Sequence, residues 1–239
     1  YKFALQYTGL DKLSFPDSFH HQPVVTYSRY KEKTAEEQNA EAELTALRQK
    51  VYKQLAEHLT LNDEAHEYLN KREISDQTIE LYQIKSLESD KELLYCCSEE
   101  DLIKVGLYVP ERPENKHSYL PHQSILFFHY TDRKTISYIS NRSYNPKAVK
   151  KTLYLKGVPV LPFQGNRDMS HYQTLLLFEG IINGLSYYEM TGKQNFYCLM
   201  GLSTTKPPEI LKQHKYFDIA LDPDEAAQNA SQKLMLPEI

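Results

Sequence analysis

Thr174-Leu175-Leu176-Leu177-Phe178-Glu179-Gly180 sets an apolar run directly against a carboxylate and a glycine. A short apolar run of this kind reads as a strand buried on both faces. Helix-like sequence follows from Ile181 to Met190, and the alternation continues. Asn195 to Met200 and Tyr216 to Leu221 are further apolar runs, with helix-like segments at Pro208 to Gln213 and Glu225 to Lys233. Strands alternating with helices imply a parallel sheet, in which ligands bind beyond the carboxyl ends of the strands. Glu179 follows the first strand, and Asp222-Pro223-Asp224 follows the third. Three carboxylates at one mouth repel each other unless a cation binds, and hard oxygen ligands suit Mg²⁺ or Mn²⁺. Gly180 permits a tight turn, and Asp222 and Asp224 share one side of an extended segment. Asp224 reads equally well as a helix N-cap.

Upstream of this unit the character of the chain changes twice. Residues 1–33 mix aromatic, Pro and His residues without periodicity and read as an irregular arm. From Thr34 to Thr60 the composition turns to Glu, Ala, Gln, Lys and Leu, with Leu44, Leu47, Val51, Leu55 and Leu59 spaced for one long amphipathic helix. A helix over Asp63 to Lys71 and another capped by Ser75 come next. Two shorter helices follow, the last opening on Ser98-Glu99-Glu100-Asp101 and ending at Gly106. Residues 34–110 thus form a helical part. Residues 111–172 are β-rich, with a hairpin of Ser124 to Tyr130, a turn at Thr131-Asp132-Arg133, and a strand around Ile136, Tyr138 and Ser140. The expected fold is mixed α+β and α/β, a helical and β-rich N-terminal subdomain followed by the parallel-sheet unit of residues 173–239.

Charge singles out one stretch. Arg133, Lys134, Arg142, Lys147, Lys150, Lys151, Lys156 and Arg167 lie within it and no Asp or Glu does, so the rest of a chain of net charge −4 carries −12. Tyr144 and Tyr154 alternate with these cations. A basic, tyrosine-bearing stripe within an acidic protein fits either a localised polyanion contact or a solvated strand face. The remaining composition mainly excludes. No apolar run approaches the ~20 residues of a spanning helix, so no membrane association is expected. Three cysteines, Cys96, Cys97 and Cys198, give neither a disulfide framework nor paired zinc-ligand spacing. A reducing, cytoplasmic location and no zinc are expected. The nine histidines show no helical ligand spacing and read as ordinary side chains.

The order strand-Glu-Gly, helix, strand, helix, strand-Asp-x-Asp, helix resembles the TOPRIM domain of DnaG-type primases, type IA and type II topoisomerases and some nucleases. Gly201 matches the turn after the second strand, and Asp222-Pro223-Asp224-Glu225-Ala226-Ala227 resembles the D-x-D-x-A-G form, with Ala227 where Gly is usual. The upstream segments resemble a bacterial or phage DnaG-type primase in particular. Tyr68-Leu69-Asn70-Lys71-Arg72-Glu73-Ile74-Ser75 is similar to its YL..RGIS helix, with Glu73 in place of Gly. Glu100 to Leu107 is similar to its L..AGL segment, Ser124 to Arg142 to its hairpin, and Tyr154-Leu155-Lys156-Gly157 to its KYL region.

The resemblance implies a primase core that makes short RNA primers on a single-stranded DNA template from nucleoside triphosphates, with a replicative helicase as a further partner. It implies that Glu179, Asp222 and Asp224 hold Mg²⁺ or Mn²⁺. Arg142, Lys147, Lys151, Tyr154 and Lys156 would then face template or nucleotide. Metal-held triphosphates, a cationic groove and stacking tyrosines suit that chemistry. Asn183 stands where the family commonly has Asp, which keeps an oxygen ligand but removes a charge, and a position outside the metal's direct ligands is expected for it. The family's further acidic pair, its zinc ribbon and its helicase are absent from the sequence, and the chain starts at Tyr1. A core from a longer phage- or mobile-element-like primase is the expectation. Strand cleavage at the same metal site and metal-independent nucleic-acid binding are the alternatives.

Overall fold

The computed structural model describes residues 34–109, 117–118, 120, 122–155, 158–201 and 216–221. The chain divides into units 1–38 and 39–239. The expected arm at 1–33, Lys156, Asp222, Asp224 and the expected helices at 208–213 and 225–233 lie outside the described residues.

Helix α1 (Ala35–His58) opens on a reciprocal cap: Thr34 N–H donates to Glu37 Oε2 at 2.8 Å and Glu37 N–H to Thr34 Oγ1 at 3.2 Å. Only its second half, through Val51, Tyr52 and Leu55, is buried. Helices α2 (Asp63–Asn70) and α3 (Asp76–Leu81) begin at Asn62 and Ser75, whose side chains accept the N–H groups of Ala65 and Thr78. Helices α4 (Asp90–Cys96) and α5 (Glu99–Lys104) complete the helical part. Ser98 caps α5 as its sequence indicates, and the Asp101 carboxylate accepts from Lys50 Nζ at 3.0 Å, tying α5 to α1.

Strand β1 (Lys85–Leu87) joins β4 (Ser124–Tyr130) and β5 (Ile136–Ser143) in an antiparallel sheet of order β1-β4-β5, and β2 (Tyr108–Val109) pairs separately with β3 (His117–Ser118). The hairpin is two to three residues longer at its second strand than the alternation of Thr135 to Ser140 indicates, because Asn141, Arg142 and Ser143 keep pairing with Leu126, Ile125 and Ser124. Alternation along β4 makes it the middle layer. Leu126 and Phe128 pack with Val51, Tyr52, Leu93 and Leu102 of the helices. Ile125 and Phe127 pack with Ala65 and Leu69 on the other face, together with residues of the C-terminal sheet.

That second sheet has order β6-β8-β7-β9, from β6 (Phe163–Gln164), β8 (Phe196–Cys198), β7 (Thr174–Phe178) and β9 (Tyr216–Ala220). β7 runs parallel to both β8 and β9, as the alternation of strands and helices implies, while β6 adds an antiparallel edge that two residues of sequence do not announce. Helix α6 (Ile181–Thr191) crosses between β7 and β8 and stops at Gly192, which takes the left-handed conformation at φ 66°. Gly184 lets α6 approach β8 closely: a Cβ there would stand 2.5 Å from the Phe196 ring and 2.6 Å from Cys198 Sγ. The opposite face of the sheet buries Met169, Leu175, Leu177, Tyr197 and Leu199.

Candidate nucleotide and metal site

β7 ends at Phe178, and the turn that follows is fixed by its neighbour strand. Phe178 C=O accepts from Leu199 N–H at 2.8 Å, and Glu179 C=O accepts from the N–H groups of Met200 at 3.0 Å and Gly201 at 3.4 Å. Met200 and Gly201 sit at φ 62° and 109°, so the exit of β8 turns sharply in the left-handed region. Tyr154 O–H closes this arch by donating to Met200 C=O at 2.5 Å. A Cβ at Gly201 would stand 3.1 Å from the tyrosine oxygen, so glycine suits the close approach. Burial first, and then the Glu179 charge, push the Tyr154 hydroxyl above its ordinary pKa. The carboxylate field therefore reaches the tyrosine.

The hairpin supplies the opposite wall. Asn141 Nδ2 donates to Leu153 C=O at 2.7 Å and its Oδ1 accepts Leu153 N–H at 3.1 Å, so one amide side chain holds residues 152–154 along β5. Arg142 Nε donates to the hydroxyl of Tyr68 on α2 at 2.7 Å. That bond orients the guanidinium, whose terminal nitrogens have no partner among the described residues. Arg142, Thr152, Tyr154, Glu179, Gly180 and Met200 surround a cavity of about 140 Å³, and Ile181 and Ile182 bring the first turn of α6 to its rim. A helix N-terminus, a guanidinium and a carboxylate in one cavity can receive a phosphate and a divalent cation together.

The sequence-predicted residues divide into three groups. Glu179, Arg142 and Tyr154 line one cavity. Lys147 and Lys151 lie outside it on the exposed loop after β5. Lys151 Nζ donates to Asn145 C=O at 2.8 Å and closes that loop on itself, while Val149 at its tip is 99% exposed. Asn183 is exposed on the first turn of α6 and does not line the cavity. Asp222, Asp224 and Lys156 are outside the described residues, and among the described residues no three His, Cys, Asp or Glu side chains gather. The backbone does bring the ends of the two acidic strands side by side, since β7 and β9 are parallel with Phe178 opposite Ala220. Tyr68 and Asn141 lie in segments that resemble the primase pattern, but nothing local marks them as positioning the arginine and the tyrosine segment; those roles follow from partners 74 and 12 residues away.

This architecture, N-terminal helices, an antiparallel sheet and a mostly parallel four-stranded sheet with its helix, is that of the RNA polymerase domain of DnaG-type primases. The chain superposes on the Aquifex aeolicus primase (zinc-binding and RNA polymerase domains) with a TM-score of 0.66 and 17% identity over 84% of this chain and 53% of that one. The E. coli primase catalytic core gives a TM-score of 0.64 and 17% identity over 80% and 66% of the two chains. A DnaG primase catalytic domain solved bound to single-stranded DNA gives 0.61 and 15% over 78% and 65%. The chain thus spans between about half and two thirds of the length of these proteins. No protein-family model and no curated protein matches it. No helix among the described residues is long and apolar enough to cross a membrane.

Proposed function

We propose that this chain is the nucleotidyl-transfer core of a DNA primase, joining ribonucleotides into short primers on single-stranded DNA. The observation that carries the reading is the meeting of Glu179, at the carboxyl end of β7 and beside the end of β9, with Arg142 and Tyr154 of the hairpin around one cavity. The fold shared with primase catalytic cores supports it, as does the single strand bound to one of them. The C-terminal unit, residues 173–239, is read as TOPRIM-like, following a helical part at 34–110 and a basic β-rich part at 111–172. A helicase partner and an origin in a phage or mobile element belong to the same reading.

In the reaction a primer 3′-hydroxyl attacks the α-phosphorus of a nucleoside triphosphate, a P–O bond forms and pyrophosphate leaves. Glu179, with Asp222 and Asp224, would hold Mg²⁺ or Mn²⁺, an all-oxygen donor set suited to those ions. The ions, when bound, neutralise the triphosphate and acidify the attacking hydroxyl. Arg142, oriented by Tyr68, meets phosphate oxygens with its terminal N–H groups, and the first turn of α6 adds its positive dipole end. Tyr154 fixes the Met200–Gly201 arch and offers an aromatic face to an unpaired base. Lys147 and Lys151, exposed on the loop after β5, would neutralise the template backbone together with Lys156.

The test is oligoribonucleotide synthesis on a single-stranded template with Mg²⁺ or Mn²⁺. Glu179→Gln should lower the rate at least 100-fold, the order seen when a group that stabilises transition-state charge is removed, about 10²–10³. Arg142→Ala should raise the KM for nucleotide. Undiminished synthesis by Glu179→Gln and Asp222→Asn would overturn the assignment. Nicking of DNA without nucleotides would redirect it to strand cleavage, and metal-indifferent strand binding without synthesis would leave a binding module.

A further inference from the structure

The basic stretch that starts at Arg133 and ends at Arg167 closes on itself in space. Arg167 Nη1 donates to the Arg133 carbonyl at 3.5 Å, and its guanidinium lies over the Tyr130 ring with the carbon 4.1 Å from the centroid. Gln83 Oε1 holds both partners, accepting from Tyr130 O–H at 2.6 Å and from Arg167 Nη2 at 3.0 Å. The hairpin tip, the end of α3 and residues 163–168 together enclose a cleft of about 670 Å³. It shares no lining residue with the Glu179 cavity.

Three features of this cleft point to a ligand. Its walls pair aromatic rings (Tyr82, Tyr130, Phe163) with the amides of Asn166 and Gln194, a mixture suited to a flat heterocycle with polar edges. Its charge is net cationic. Arg133 is ion-paired to Asp168 at 2.9 Å, and the same carboxylate also accepts from the Ser170 hydroxyl, which leaves the Arg167 charge in excess. Finally, Gln83 occupies the left-handed position that ends α3, at φ 51°, with Ile84 N–H bonded back to Ile79 C=O. A non-glycine residue there is strained, and its side chain is what fixes the arginine on the tyrosine.

We propose that this cleft binds one nucleotide unit, a planar base carrying a phosphate, with the base stacked on the outer face of the Arg167 guanidinium, whose uncompensated charge also draws the phosphate. An arginine already flattened on a ring presents a pre-oriented cationic plane, which a lysine cannot do. The occupant is a free nucleotide or one unit of a single strand, since both offer the same base and phosphate. The site stands independently of the primer-synthesis reading, because none of its residues belongs to the Glu179 cavity.

Photo-crosslinking of the whole chain tests it, with 4-thiouridine monophosphate in one arm and an oligothymidylate carrying one 4-thiothymidine in the other. Crosslinked peptides should contain Tyr82, Tyr130 or His171, and their yield at sub-saturating probe should fall about fivefold or more in Arg167→Ala, the low end of a base-stacking contact. Arg167 is exposed, so this variant tests contact without unmaking the core. Gln83→Gly, which relieves the backbone and frees the arginine, should also lower the yield. Crosslinking of the mononucleotide supports a free nucleotide as occupant, and crosslinking of the oligomer alone supports a strand. Absence of both from these peptides, an undiminished yield in Arg167→Ala, or full restoration by Arg167→Lys would overturn the proposal. Loss of primer synthesis has no bearing on these outcomes.

Discussion

His129 should make this protein acid-sensitive well above the pH at which carboxylates titrate. The imidazole is buried to 1% exposure in β4, with Nδ1 2.8 Å from Leu161 C=O and Nε2 2.7 Å from Ser140 Oγ. A carbonyl can only accept, so Nδ1 carries the proton and Nε2 accepts from the serine. The rings of Tyr138 and Phe163 stand edge-on around it. Burial pushes its pKa from 6.5 down to about 4, against the opposing pull of the Leu161 and Pro162 carbonyls. The unfolded chain therefore takes up a proton that the folded chain refuses. This contribution to stability is complete above pH about 6.5, declines as the pH falls, and is exhausted near pH 4. At about 1.4 kcal/mol per pH unit, that window amounts to about 3 kcal/mol. Urea unfolding of the wild type and of His129→Gln at pH 7.5, 6, 5 and 4 isolates the effect, because other groups titrate in both proteins. The difference in unfolding free energy should shrink by about 3 kcal/mol between the extremes. Parallel curves would refute the reasoning, since they would mean that the ring is hydrated or already charged in the folded state.

Two stability predictions follow from backbone geometry. Glu73, exposed at φ 60°, occupies the left-handed position that ends α2; Glu73→Gly should raise the unfolding free energy in urea titrations by about 0.5–1 kcal/mol, the relief of strain less the added entropy of glycine. Gly184→Ala should do the reverse, because the new methyl meets Phe196 and Cys198, and overpacking of about 1–3 kcal/mol exceeds the ~1 kcal/mol gained in helix propensity. A stability unchanged by Gly184→Ala in thermal or urea unfolding would contradict the close approach of α6 to β8.

Much of the local architecture can be read from the chain itself. The caps Ser75 and Ser98 accept the N–H groups three residues on, and the apolar run at 174–178 is an inner strand of the C-terminal sheet. Such features depend on side chains acting on their own backbone or on a period of a few residues. The Glu73 substitution is also visible as a departure from the primase pattern, and the left-handed backbone explains why glycine is favoured there. The edge strand β6 is not legible, because two residues carry no period. Nor is the use of the basic stripe. In sequence it is one band of cations. In space Arg142 faces Glu179, Lys151 binds its own loop, and Arg133 and Arg167 meet at the hairpin tip.

The sequence by itself determined the longer described elements, the caps Ser75 and Ser98 and the place where Glu179 leaves β7, since each is encoded in contacts between residues close along the chain. Only the tertiary structure decided which cations share a cavity with Glu179. That choice rests on the pairing register of β4 with β5, on Tyr68 reaching Arg142 across 74 residues, and on Tyr154 reaching the Met200 carbonyl across 46. Contacts of that separation leave no periodic trace, because the geometry of the packed sheets, and not the spacing of the residues, brings the partners together.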